Sequence, residues 1–158
     1  MLSKEAVKAK NKYKKLGAMI SWMVTEPWNP KMWKVKLQRF NFDNVVAINP
    51  KSKGHKKEKL TLAGMETWKI TTPNSDPDKI LLYFHGGAYQ VGSPKGYYPM
   101  LTHLARETGF TIYIPDYRLA PEHYYPAQVE DGVAAYEAMV NDLGSVSYTH
   151  LTLPTIYS

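Results

Sequence analysis

Apolar positions along the 158-residue chain change their spacing from region to region, and each spacing predicts a different element. Leu2, Ala6, Ala9, Tyr13, Leu16, Ile20 and Met23 recur at steps of four and three, one face of an α-helix over residues 3–24. Ser3 is the candidate N-cap and Pro27 the candidate stop. Residues 25–58 keep no such period and read as irregular, ending in a polar, basic loop. Residues 59–63 and Met65–Thr71 flank Gly64 as the strands of a hairpin at a sheet edge. Residues 72–78, TPNSDPD, form a turn cluster. The unbroken run Ile80-Leu81-Leu82-Tyr83-Phe84 predicts a central strand covered on both faces, as in a parallel sheet. Tyr97, Leu101, Leu104 and Thr108 return to helical spacing, with Gly109 placed as a C-cap. Residues 110–114 read as the next strand, and Val129, Val133, Tyr136 and Val140 mark one face of a further helix. Strand, helix, strand, helix is the rhythm of an α/β fold built on a mostly parallel sheet.

Composition adds little to that outline, but charge divides it. Residues 1–60 carry 15 Lys/Arg against 4 Asp/Glu, whereas residues 61–158 carry 5 against 10. The net charge of +6 therefore belongs to the N-terminal third and does not describe a nucleic-acid-binding protein as a whole. Lysines 4, 8, 10, 12, 14 and 15 crowd one surface of the first predicted helix. A solvated face on a docked helix accounts for them, and the competing reading is a basic amphipathic helix on an anionic membrane. No run is long enough to cross a bilayer, and no A-x-A-like site follows residues 16–24 to suggest a signal peptide. The chain has no cysteine, which removes disulfides and thiolate metal sites and fits a cytoplasmic protein. The histidines at 55, 85, 103, 123 and 150 lack metal-ligand spacing and no G-x-G-x-x-G loop occurs, so no cofactor is expected.

The chemistry concentrates where the apolar run ends. His85-Gly86-Gly87-Ala88-Tyr89 follows directly on residues 80–84, at the end of a strand where α/β proteins place their sites. Glycines there let the backbone approach a ligand and aim bare N–H groups at it, the design of an oxyanion hole. Downstream, residues 116–127 read DYRLAPEHYYPA. HGGAY followed by DYRLAPEHYYPA resembles the hormone-sensitive-lipase family of α/β-hydrolases, which includes bacterial acetyl esterases. The resemblance runs from about residue 59 to about residue 143.

It implies that the backbone N–H groups of Gly87 and Ala88 are oxyanion donors, a third coming from the residue after a nucleophilic serine. It implies that Gly86 allows the turn and that His85 holds the loop without being the catalytic base. The plainer reading of His85 is a helix-cap or core histidine. Ala88 stands where many relatives carry a third glycine, and its N–H keeps its aim if the local φ is negative. Tyr89, Asp116, Tyr117, Arg118, Pro121 and Glu122 become a structural motif beside the site. Taken alone, Asp116, Arg118 and Glu122 suggest a carboxylate pair with a cation, and an ion-pair and turn network is preferred. Ala120-Pro121 and Tyr125-Pro126 are candidates for cis peptides. Glu130 and Asp131 suit the positive end of the last helix. By the same resemblance residues 1–58 form a helical cap, whose Trp and Met residues, Trp28 and Trp33 among them, either line an acyl pocket or fill core.

A G-x-S-x-G elbow should follow the last helix, then an acid and a histidine; no such elbow occurs, and nothing beyond residue 143 fits the pattern. Val146 to Thr155, VSYTHLTLPT, back-translates without mismatch to a transposase mosaic end and sequencing adaptor, so residues 145–158 are expected to be non-native. The expected organisation is a cap at 1–58, a truncated hydrolase core at 59–144 and that tail. The expected activity is hydrolysis of small-molecule carboxylic esters, short-acyl ones above all, by a longer protein, with this chain inactive by itself. An amidase or formamidase of the same fold and a non-catalytic membrane-surface protein are the alternatives.

Overall fold

The computed structural model describes residues 32–142. The helix expected over 3–24 and the tail from 145 lie outside them. The elements run α1 (Met32–Val46), β1 (Lys56–Leu62), β2 (Met65–Thr71), β3 (Asp76–Leu82), α2 (Pro94–Thr108), β4 (Phe110–Pro115) and α3 (Ala127–Asp142).

The strands form one sheet in the order β1-β2-β4-β3. It is mixed: β1 and β4 flank β2 antiparallel, and β3 runs parallel to β4 through the α2 crossover. The hairpin pairs Lys56 with Thr71 through Leu62 with Met65. Ala63 and Gly64 turn it at φ 49° and 81°, the double positive φ of a two-residue turn whose twist matches the strands. Lysines 56, 57 and 59 sit on β1 at the sheet edge, where charge discourages edge-to-edge pairing. The aliphatic run at 80–84 behaves differently from expectation. β3 starts earlier, at Asp76, ends at Leu82, and has β4 on one side only among the described residues, leaving Phe84 42% exposed.

α2 follows its sequence signals closely. Ser93 caps it and accepts from the Gly96 N–H, Pro94 opens the first turn, and Gly109 closes it at φ 71° while donating to the Ala105 carbonyl. Its buried stripe is Tyr98, Leu101, Thr102 and Ala105. With Ile70, Ile112 and Ile114 these apolar side chains make the main core on one face of the sheet. The other face holds a smaller cluster of Leu62, Tyr113, Ala135 and Met139 beneath α3.

Two expectations fail on the helices. α3 does not bury Val129, Val133, Tyr136 and Val140, which are 38–51% exposed. It packs instead through Ala127, Asp131, Ala135 and Met139, because small residues let the helix lie close to the strands. Residues 32–46, expected to be irregular, are helical. Their apolar residues form no stripe: Val35 is buried while Leu37 and Phe40 are 50% and 61% exposed, so periodicity had nothing to detect. No helix among the described residues is long and apolar enough to cross a membrane.

Candidate active-site loop

The last rung of β3 is the Tyr83 N–H donating to the Tyr113 carbonyl at 2.8 Å. The chain then leaves the sheet, and residues 85–92 carry it to the cap of α2. Three features bend this segment. Gly87 sits at φ 135°, and a Cβ there would lie 1.9 Å from the Val91 carbonyl oxygen. Gly92 sits at φ 93°, where a Cβ would meet the Gly86 oxygen at 2.5 Å and His85 Nδ1 at 2.8 Å. The Gln90 and Val91 N–H groups both donate to the Gly87 carbonyl at 3.0 Å, closing the turn. Ala88 and Tyr89 hold φ 52° and 58°. The negative φ that would keep Ala88 unstrained is therefore absent, and each side chain in the left-handed region costs about 1–2 kcal/mol. The N–H groups of Gly87 and Ala88 meet no acceptor among the described residues, whereas the Gly86 N–H faces the Tyr97 hydroxyl.

His85 braces the bend from beneath. It is 2% exposed and stacks on Tyr117 at 4.4 Å between centroids and on Tyr97 at 5.8 Å. Its Nδ1 faces the Gly86 carbonyl at 3.1 Å, which places the proton on Nδ1, and its buried Nε2 has no partner among the described residues. Burial holds the imidazole below its usual range, against the opposing pull of the Gly86 carbonyl and Asp43. The Tyr117 hydroxyl donates to the His85 carbonyl, and burial pushes that phenol up to about 12. A neutral ring stacked between two protonated phenols is a packing and hydrogen-bonding brace.

The DYRLAPE segment does not act as one charged network. The Ala120 N–H donates to the Tyr89 carbonyl at 2.8 Å, so the turn around Pro121 abuts the glycine loop. Ala120-Pro121 and Tyr125-Pro126 are both cis. Arg118 turns away to the start of α3, reaching Asp131 at 2.7 Å and Glu130 at 3.1 Å. Glu122 pairs with Arg39 instead, whose hydrogen bonds hold its carboxyl below the usual range. Asp116 is exposed at the end of β4, its N–H donating to the Glu66 carbonyl, and has no ion pair among the described residues. The structure thus gathers His85, Gly86, Gly87, Ala88, Tyr89, Tyr117 and the turn at Pro121 and Glu122. It separates Asp116 and Arg118 from each other and from Glu122.

Sequence reasoning missed Arg39, Asp43 and Tyr97. Arg39 had one signal: it is the only arginine among the 15 basic residues of positions 1–60, and arginine suits forked recognition as lysine does not. Of the residues expected to line a pocket, Trp28 lies outside the described residues. Chemically, the loop offers unpaired donors and no nucleophile. Ser93 is spent on Asp43 at 2.7 Å, and Ser52 is 3% exposed.

A family described as alpha/beta hydrolase fold matches residues 81–150. An acetyl-hydrolase of Streptomyces hygroscopicus is 38% identical over 81 residues, covering 51% of this chain and 27% of its own length. Esterase LipI of Mycobacterium tuberculosis is 38% identical over 68 residues, covering 43% of this chain and 21% of its own. The crystal structure of an esterase from the bacterial hormone-sensitive lipase family superposes with a TM-score of 0.67 at 32% identity, over 80% of this chain and 41% of that one. The chain therefore spans less than half the length of these similar proteins.

Proposed function

We propose that this chain, whose fold is that of a hormone-sensitive-lipase-like α/β-hydrolase, supplies the oxyanion-binding wall of a carboxylic ester hydrolase. One observation carries the reading: the Gly87 and Ala88 amides are left without acceptors among the described residues, on a loop that packing otherwise fixes closely. When a hydroxyl attacks an ester carbonyl, the carbonyl oxygen becomes an anion, and fixed N–H donors lower that barrier. Each such donor is worth about 10²–10³ in rate. Gly87 and Ala88 fill this role, and His85 keeps the bend in shape from below. Glycine at 87 is required because its Cβ would strike Val91.

The attacking serine and its acid and histidine partners come from sequence beyond Leu143 in a longer protein, and small esters with short acyl chains are its substrates. The similar proteins named acetyl-hydrolase and esterase support the reaction class.

The test has two arms. The 158-residue chain is expected to release no nitrophenol from p-nitrophenyl acetate above the buffer rate. Genomic DNA read independently across the locus is expected to run in frame past Leu143 into a serine between paired glycines. The protein encoded there should hydrolyse the acetate and butyrate esters well ahead of long-chain esters and aryl amides. An open reading frame without that serine overturns the proposal, and faster cleavage of amides reassigns the substrate.

A further inference from the structure

Helix α1 bears on the glycine loop at both of its ends. Arg39 and Asp43 are four residues apart, so they share one face of the helix. Arg39 Nε donates to the Gln90 carbonyl at 2.8 Å, at the far end of the HGGAY bend. Its Nη2 donates to the Ala120 carbonyl at 2.8 Å, and Nη1 and Nη2 grip the two Glu122 oxygens at 2.7 Å each. One guanidinium thus ties the glycine loop to the turn at Pro121 with four hydrogen bonds, the forked geometry a lysine cannot supply. One turn further along, Asp43 Oδ2 accepts from Ser93 Oγ at 2.7 Å, at the cap of α2 where the loop ends. Its carboxylate also lies against Gly96, where a Cβ would come within 2.7 Å of Oδ1, so the negative charge sits at the positive end of α2.

We propose that Arg39 is a positioning residue for the glycine loop, holding Gln90 and Ala120 so that the Gly87 and Ala88 amides stay clear of protein acceptors, with Asp43 anchoring the loop's exit. The clamp itself stands on geometry, and only the purpose of the aim rests on the ester-hydrolase reading. The cost it offsets is visible: two consecutive residues, Ala88 and Tyr89, are kept at positive φ, where neither would stay unaided. The Gln90 and Val91 N–H bonds to Gly87 and the Ala120 N–H bond to Tyr89 are the amides that report whether the bend persists.

Residue-resolved amide exchange on the 158-residue chain tests this without requiring a nucleophile. Arg39→Ala is expected to speed exchange at Gln90, Val91 and Ala120 by about tenfold or more while Ile112 and Ile114 in β4 change little. Millimolar guanidinium chloride should restore protection in that variant, and an equal concentration of sodium chloride should not. Arg39→Lys should remain close to Arg39→Ala. Glu122→Gln keeps the guanidinium and the helix and should give a smaller acceleration at the same three amides. The proposal is overturned by unchanged loop exchange in both Arg39→Ala and Glu122→Gln, by equal acceleration at Ile112 and Ile114, or by rescue that ignores which cation is added. An inactive, serine-containing longer protein would sink the ester reading and leave the clamp intact.

Discussion

The two faces of the sheet are built to different standards. On the α2 face, Ile70, Ile112 and Ile114 meet Leu101 and Ala105, all of them fully buried, and Trp68, Leu81, Tyr83 and Phe110 pack around them. Helix α1 adds a further layer there through Arg39, Asp43 and the contact of Phe42 with Tyr97. On the α3 face the core is Leu62, Tyr113, Ala135 and Met139, and the helix above it turns Val129, Val133, Tyr136 and Val140 to the outside. The first face is a finished layer, and the second is half of one. The glycine loop belongs to the finished side, since His85 rests on Tyr97 of α2 and Arg39 of α1 grips its end. A strained loop needs a rigid support, and the described residues provide one only there.

The largest effect should come from removing a side chain on the finished face. Leu101→Ala leaves a void in packing that cannot collapse and is expected to cost about 3–5 kcal/mol. Met139→Ala, in the smaller cluster under α3, should cost about 2–3 kcal/mol, since the site is buried but its flexible side chain and fewer neighbours let the hole close better. Urea unfolding followed by tryptophan fluorescence measures both. Equal losses would erase the distinction between the faces.

Next in size is the loop itself. Gly87→Ala drives a methyl against the Val91 carbonyl and adds a left-handed penalty. It is expected to cost about 2 kcal/mol locally, seen as lost protection of Gln90 and Val91. Ala88→Gly acts in the opposite direction. It relieves a φ of 52° and should stabilise the chain by up to about 1 kcal/mol. If Ala88→Gly destabilises instead, the backbone at 88 is not left-handed in solution.

These loop effects also show what the sequence could disclose. HGGAY gave the position of the bend, because glycines after an apolar run have few other uses. The hairpin and α2 were legible for the same reason: Gly64 and Gly109 are local signals that act within a few residues. The Arg39–Glu122 pair joins positions 83 residues apart, and no local pattern announces it. Arg118 pairs with Asp131, which was read only as a helix-dipole residue. The α3 face was misjudged because the helix carries two apolar stripes, and periodicity favours the bulkier one whereas the sheet takes the smaller.

Acidification should separate the supported loop from the rest of the finished face. Burial depresses the His85 pKa in the folded chain below its ordinary 6.5. Its stabilising contribution is therefore present above about pH 6.5 and lost as pH falls through the folded value. Glu122 is also depressed, so the Arg39 pair persists to lower pH and fails only below the usual glutamate range near 4.5. A two-step acid response follows: the His85 brace weakens first and the Arg39 clamp second. His85→Gln should abolish the first step in unfolding free energy plotted against pH and leave the second. A single step in both proteins would mean that His85 does not titrate with folding.

The smallest effect is expected on the outward stripe of α3, and it sharpens the comparison most. Val133 is 51% exposed, so Val133→Gln removes little buried area and should change stability by less than about 0.5 kcal/mol. Self-association should respond far more. Val129, Val133, Tyr136 and Val140 form one apolar strip, and such a strip drives chains together even when no single residue in it supports the fold. Sedimentation of the wild-type chain and of Val133→Gln at matched concentration reads this directly, with the variant expected to shift toward monomer. A marked loss of stability without any change in association would show that the strip is packed after all, and the two faces of the sheet would then be equals.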